Sequence, residues 1–162
     1  MPFSSLDLSL DPASDEAVRA GWQALEQQEI PSEGRRTSPT HRPHLTLLAA
    51  PTVPPDLLER AARDLRPLLP ARLTARATVV FGRGPFVVAH LVVPDPVLRA
   101  AVADLRGDEG DLWIPHLTLS RKVPAGRLTD ALRAAEGARP IVVVAQQLRH
   151  WDAIRHIVTP LT

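Results

Sequence analysis

The pentapeptide Pro-His-Leu-Thr-Leu occurs twice in this chain of 162 residues, at positions 43–47 and 115–119, almost half a chain apart. Each copy is followed by a short segment that contains proline and then by a predicted helix, which is the outline of an internal duplication. Two similar halves that each present one copy can be related by a pseudo-two-fold axis. The repeat therefore predicts two matching lobes, with both copies facing the space between them.

The alternation of side chains along a β-strand decides which residues of each copy face the same way. Side chains at positions i and i+2 project from the same face of a strand. His44 therefore shares a face with Thr46, and His116 shares a face with Thr118, while the leucines between them turn to the other side and can be buried. Across a pseudo-two-fold axis, two imidazoles and two hydroxyls would surround one point in a central cleft.

These four side chains suit acid–base chemistry at a phosphate ester. Imidazole has an unperturbed pKa of ~6.5, so one histidine can take a proton from water or a ribose hydroxyl while the other protonates the departing oxygen. The threonine hydroxyls can donate hydrogen bonds to the non-bridging phosphate oxygens, where charge builds in the transition state. None of these steps requires a metal ion or another cofactor, and we predict that none is used.

Hydrophobic periodicity and turn residues predict an α+β protein with mainly antiparallel sheet. Strands are predicted over residues 5–10, 43–48, 73–81, 86–93, 112–120, 140–151 and 155–158, and helices over 16–28, 55–69, 95–105 and 126–135. The longest predicted loop covers 31–43, and a polar turn is predicted at 107–111. Because no Gly-rich phosphate loop follows a strand, dinucleotide-binding and P-loop folds are disfavoured.

The composition is that of a soluble globular protein, with 44% hydrophobic and 23% charged residues. No segment approaches the ~20 apolar residues of a membrane span, and a net charge of +1 argues against a polycationic surface for duplex nucleic acid. The absence of cysteine excludes disulfides, thiol nucleophiles and thiolate metal sites. Together with an N-terminus that lacks a basic signal region, it leads us to expect a cytoplasmic protein, and we expect a monomer.

The paired motifs resemble those of the two-histidine (2H) phosphoesterases, in particular the LigT-like or 2′-5′ RNA ligase family. That family has two His-x-Thr-x motifs, here His44-Leu45-Thr46-Leu47 and His116-Leu117-Thr118-Leu119. The resemblance extends to a Phe-Gly…Phe hairpin at 81–86 and a late strand ending Arg149-His150-Trp151-Asp152. It implies one bilobal domain over residues 1–162, in which two pseudo-symmetric antiparallel sheets, flanked by helices, enclose a central cleft.

The resemblance also implies an activity, the hydrolysis of 2′,3′-cyclic phosphates to 2′-phosphates by a metal-independent cyclic phosphodiesterase. The expected partners are RNA ends that carry such a phosphate or small cyclic nucleotides. By this likeness His44 is the general acid and His116 the general base, although a near-symmetric pair can be used in either order. The alternatives are ligation or cleavage at 2′-5′ linkages, or a non-catalytic module that binds RNA or nucleotides.

Three further residues are candidates for substrate binding. Arg121 lies three residues past Thr118 and matches a basic position that often contacts phosphate in members of the family. Arg42, with Arg35 and Arg36, belongs to the loop before His44, which is either solvated or a clamp on an RNA end. Phe86 either packs in the core or stacks on a nucleobase. Base stacking is otherwise unassigned, because residues 48–51 lack the aromatic side chain that many relatives have there.

The remaining histidines and one tryptophan have structural interpretations. His90, in an apolar strand, is predicted to be a hydrogen-bonded core or edge residue, and His150 and His156 are predicted to lie at the surface. Trp113 is predicted to pack in the core. His41 lies three residues before His44, but no dense ligand spacing supports a histidine metal site there.

Overall fold

The computed structural model describes residues 2–107 and 112–161. Its strands and helices are β1 (Ser4–Leu10), α1 (Pro12–Gln27), β2 (His44–Ala50), α2 (Pro55–Leu65), β3 (Ala71–Phe81), β4 (Phe86–Pro94), α3 (Pro96–Arg106), β5 (His116–Val123), α4 (Leu128–Gly137), β6 (Val142–Asp152) and β7 (Ile157–Pro160). Short 3-10 turns occupy Glu33–Arg35, Arg66–Leu68 and Ala125–Arg127. The predicted α+β class is confirmed.

The first helix of each half, α1 and α3, begins in the same way, which supports an internal duplication. Asp11 precedes α1 and accepts a hydrogen bond from the Ser14 amide at 2.9 Å, with Pro12 in the first turn. Asp95 precedes α3 and accepts from the amides of the first turn, again with a proline directly after it. A capping aspartate followed by proline is a strong helix start. The order strand–helix–strand–helix–strand thus occurs twice, from β1 to β3 and from β4 to β6.

The strands form one antiparallel sheet in the order β1-β2-β5-β4-β3-β6-β7, and β6 also pairs with β1. The predicted pair of sheets is therefore joined through β6 and through β2 and β5. The contact between β2 and β5 is narrow, because Leu45 and Leu117 are the one pair in register there. This pair joins the two halves at the point where both repeated motifs lie.

The hydrophobic core lies on the sheet face that carries the motif leucines. Leu45, Leu47, Leu117 and Leu119 are fully buried, and burying a leucine side chain contributes about 1.5–3 kcal/mol. On this side α1 packs against α4 and β5, and α2 packs against α3. Since side chains alternate, the motif histidines and threonines project from the opposite face.

Several predicted boundaries shift for identifiable reasons. β5 begins at His116 rather than at 112, because Pro115 has no N–H to donate to a ladder. Helix α2 ends at Leu65 and tightens into a 3-10 turn that contains Pro67, and β7 lies two residues later than predicted. Apart from Gly107, the polar turn predicted at 107–111 lies outside the described residues. None of the described helices is long and apolar enough to cross a membrane.

Candidate active site

The two repeated motifs meet at one cavity of about 450 Å³, which His44, Thr46, His116 and Thr118 all line. The antiparallel pair Leu45–Leu117 fixes their arrangement. Residues that flank such a pair lie opposite one another, so His44 faces Thr118 across the strands and Thr46 faces His116. The structure therefore brings the four predicted catalytic residues together in the pseudo-symmetric arrangement that the repeat predicts.

Each motif histidine is oriented by the carbonyl group two residues before it. His44 Nδ1 lies 2.8 Å from the Arg42 oxygen, and His116 Nδ1 lies 2.7 Å from the Ile114 oxygen. A carbonyl oxygen only accepts hydrogen bonds, so Nδ1 carries a proton in both rings and Nε2 is the nitrogen left for chemistry. In both copies a proline precedes the histidine and restricts the residue before it to extended backbone. The sequence of the repeat therefore sets the tautomer.

The surroundings of His116 favour its neutral form. Burial lowers the pKa of His116 below its ordinary value, and the positive charges of Arg121 and His44 lower it further, while the hydrogen bond to the Ile114 carbonyl opposes the shift. The Phe81 ring packs against the imidazole with centroids 4.8 Å apart. These surroundings favour the neutral imidazole, whose Nε2 can accept a proton.

Two tryptophans bind the backbone of the motif strands where the β2–β5 ladder ends. The indole nitrogen of Trp113 donates to the Thr46 carbonyl at 3.0 Å, and that of Trp22 donates to the Thr118 carbonyl at 3.1 Å. Both rings are buried in the core, as predicted for Trp113. The hydrogen bonds were not predicted, because they depend on how far β2 and β5 diverge.

A buried carboxylate organises the basic side chains at one side of the cavity. Glu33 is only 6% exposed. Its Oε1 lies 3.4 Å from Arg121 Nε, and its Oε2 lies 3.5 Å from Arg36 Nη1 and 3.6 Å from His41 Nε2. His41 Nε2 also donates to the Glu33 carbonyl at 3.0 Å, and its ring stacks on Trp22. Burial and the charge of Arg36 lower the pKa of His41. Arg36 and His41 of the loop over 31–43 line the cavity together with Arg121 of β5, so the loop contributes basic groups to the site.

A second ion pair, also lining the cavity, joins the first and sixth strands. Arg149 Nε and Nη2 both donate to Asp7 Oδ1 at 2.8 Å, and both side chains are almost completely buried. Strand β1 places Asp7 opposite Thr46 on one side and Arg149 on the other. This pair therefore lies in the same row of side chains as the first motif threonine. Sequence analysis did not identify Asp7, whose only local signal is a charge in an otherwise buried strand.

One end of the cavity is aromatic. Phe3 and Trp151 line it together with Ala49. Ser5 pairs with both Ala49 and Trp151, so small side chains lie beside the tryptophan and leave its ring accessible from the cavity. Two aromatic side chains, one directly before β1 and one in β6, thus lie at the side of the cleft where residues 48–51 carry none.

Two of the candidate substrate-binding residues lie elsewhere. The Arg42 side chain lines a neighbouring cavity and not this one. Phe86 packs against the hydrophobic core, because it shares a face of β4 with the buried residues Val88 and His90. The aromatic residue of the hairpin that reaches the site is Phe81, at the other end of the turn. Arg121 is the one candidate of the three that lines the cavity with the histidines.

The other histidines differ in part from their predicted surroundings. His90 is fully buried, but neither ring nitrogen meets a hydrogen-bond partner within the described ranges, so the prediction of a hydrogen-bonded residue was wrong. His150 is half-buried, with Nε2 enclosed and unpaired among the described atoms, so its predicted surface position was also wrong. His156 is exposed, as predicted. The described part of the chain contains no cluster of three histidine or acidic side chains that could hold a metal ion.

The fold and the paired His-x-Thr motifs define a two-histidine phosphoesterase. The chain belongs to the 2′-5′ RNA ligase superfamily, whose family model matches residues 12–157, and the resemblance inferred from the motifs is confirmed. Its fold is similar to that in the structure of Kluyveromyces marxianus Usb1 with uridine monophosphate, with a TM-score of 0.50 and 12% sequence identity over 98% of this chain and 97% of that chain. Comparison with curated protein sequences gives no match.

Proposed function

We propose that this protein hydrolyses 2′,3′-cyclic phosphates, on RNA ends or on nucleotides, to 2′-phosphates without a metal ion. The observation that carries the proposal is the pair of motif histidines in one cavity, each with Nδ1 bound to a backbone carbonyl. Two imidazoles with free Nε2 atoms supply the base and the acid that in-line displacement at phosphorus requires. Membership of the 2′-5′ RNA ligase superfamily supports RNA as the substrate class.

In the proposed reaction, His116 Nε2 takes a proton from a water molecule whose oxygen forms the new bond to phosphorus. The bond between phosphorus and O3′ breaks, and protonated His44 gives its Nε2 proton to O3′, so the product carries a 2′-phosphate and a 3′-hydroxyl. Each proton transfer is typically worth ~10²–10⁴-fold in rate. The lowered pKa of His116 supports this order of roles, because a base must be neutral before it can act.

The remaining polar groups of the cavity suit a phosphate with developing negative charge. The hydroxyls of Thr46 and Thr118, which line the cavity, can donate to non-bridging oxygens. Arg121, half exposed beside Glu33, offers a guanidinium group that can turn toward a phosphate. If a ribose 5′-hydroxyl replaces the water, the same transfers form a 2′-5′ linkage, which is the reaction in the name of the superfamily.

The test is to incubate the purified protein, in EDTA, with uridine 2′,3′-cyclic phosphate and with a short RNA that ends in a 2′,3′-cyclic phosphate. We expect wild type to form the 2′-phosphate and both His44→Ala and His116→Ala to form none. His90→Leu is the control, because it removes an imidazole from the opposite face of the sheet. If wild type binds both substrates but converts neither, the protein is a binding module and the proposal is wrong.

A further inference from the structure

We propose that a second cavity beside His44 binds the nucleotide that precedes the cyclic phosphate in an RNA chain. RNA ends would then be better substrates than free cyclic nucleotides. This inference rests on the proposed function and concerns which of its two substrate forms the protein prefers. The cavity has a volume of about 570 Å³, within the ~300–1,000 Å³ of typical ligand sites.

The strand register places this cavity next to the catalytic one. Ser9, which lines the second cavity, pairs with His44 on one side and with Gln147 on the other. Asp7, which lines the first cavity, pairs with Thr46 and Arg149 in the same two strands. Asp7 and Ser9 are two residues apart in β1 and therefore project from the same face, so the two cavities lie next to each other along one face of the sheet. The row that contains His44 lies at their junction.

The second cavity is lined mainly by groups that recognise polar ligands. They are the Ser9 hydroxyl, the Asp15 carboxylate, the Arg42 guanidinium and the side-chain amides of Gln146 and Gln147. An amide offers both a donor and an acceptor, which suits the edge of an unstacked base or a ribose hydroxyl, and arginine suits a phosphate. Asp15 Oδ1 is paired with Arg19, which offsets the charge of the carboxylate.

A β-bulge brings both glutamines to this cavity. Strict alternation along β6 would turn Gln146 and Gln147 to opposite faces. The register between β1 and β6 shifts at this point, with Ser9 opposite Gln147 but Leu10 opposite Ala145. Gln146 is the extra residue, and both side chains are exposed and line the cavity. Bulges re-aim side chains in this way and are frequent next to active sites.

The position of the scissile bond then assigns the two spaces that flank the histidines. In the proposed reaction O3′ departs beside His44, so the terminal ribose lies on that side of the phosphorus. This ribose carries a base and, in RNA, a 5′-phosphate that leads to the preceding nucleotide. The aromatic end at Phe3 and Trp151 suits stacking of the terminal base. The polar cavity on the other side of the His44 row is left for the preceding nucleotide, which a free cyclic nucleotide lacks.

The experiment compares kcat/KM for uridine 2′,3′-cyclic phosphate with kcat/KM for a dinucleotide that ends in the same group. We expect wild type to prefer the dinucleotide by about tenfold or more, as two or three net hydrogen bonds would give. In a Gln146→Ala/Gln147→Ala variant this preference should fall by at least about threefold, because only Arg42 remains to hold the phosphate of the preceding nucleotide. The matched control is Gln23→Ala on the exposed side of α1, which should keep the wild-type preference.

Each outcome separates this inference from the proposed function. Turnover of both substrates by wild type at equal kcat/KM would overturn the inference and leave the proposed function standing. A preference that falls less than about threefold in the double variant would show that Gln146 and Gln147 do not hold the preceding nucleotide, and would also overturn it. If wild type converts neither substrate, the proposed function fails and the inference fails with it. Thermal unfolding of wild type and of the double variant verifies that both proteins are folded under the conditions of the assay.

Discussion

The buried imidazole of His90 should make the stability of the protein depend on pH. The ring lies in the core, close enough to α1 that a Cβ added at Gly21 would be 3.4 Å from its Nε2. Burial lowers its pKa to about 4, and the charge of Arg139 contributes in the same direction against that of Glu136. In the unfolded chain His90 therefore binds a proton as the pH falls through 6.5, whereas in the folded protein it binds that proton only near pH 4.

The sign and size of the effect follow from that difference. The contribution of His90 to stability is fully present above pH 6.5, decreases as the pH falls toward 4 and stops changing below that value. This group alone should lower the free energy of unfolding by about 3 kcal/mol in this interval. Glu136 contributes only at the acidic end of this interval, because its hydrogen bonds with Arg139 and Thr78 lower its pKa from 4.5 to about 2 and its stabilisation is lost only as the pH falls below 4.5.

The perturbation is His90→Leu, measured by urea unfolding at several pH values between 7 and 4. At pH 7 the variant should be as stable as wild type or more so, because the substitution removes two buried nitrogens that have no partner among the described residues. Its loss of stability on acidification should be about 3 kcal/mol smaller than that of wild type. His156→Gln, at an exposed site, is the control. Equal losses in wild type and His90→Leu would refute the reasoning.

Three further predictions concern the site. Because burial, Arg121 and His44 lower the pKa of His116, the acidic limb of the pH profile of kcat/KM should lie below pH 6.5, and a limb above that value would contradict its role as base. Thr118→Ala should lower kcat by about 100-fold in steady-state assays, since one donor to the transition state is lost, and an unchanged kcat would exclude that role. Trp113→Phe removes the indole donor from the partly buried Thr46 carbonyl, so denaturant unfolding should show a loss of about 1–3 kcal/mol, and full stability would mean that the hydrogen bond is dispensable.

The parts of the site that sequence alone predicts are those that a single short segment encodes. Alternation within each pentapeptide buries the leucines and turns His44 and Thr46 to one face, and the preceding proline limits where the strand begins. These signals act over a few residues and do not depend on which strands become neighbours. The same is true of the Asp-Pro helix starts.

The parts that could not be predicted depend on register between distant strands. The pair of Asp7 with Arg149 forms because β1 lies between β2 and β6, which no local pattern specifies. The choice between Phe81 and Phe86 depends on which face of the hairpin meets β5, and the neighbours of Phe86 on its own face are core residues. Glu33 lies in a loop whose composition indicates only that it is irregular, yet it is buried because three basic side chains converge on it.

The duplication explains how the site is assembled, but the proposed reaction needs its two halves to differ. Identical pentapeptides give both histidines the same backbone partner and the same tautomer. The difference comes from outside the repeat. At the second copy, the Phe81 ring packs against His116 and the positive charge of Arg121 lowers the pKa of His116, so its neutral form is favoured. On the first copy, strands β1 and β6 extend the face beside His44 into a polar cavity. In the proposed reaction, residues that the two halves do not share would therefore assign the base to one copy and the leaving group to the other. They are the residues to exchange if the direction of proton transfer is to be reversed.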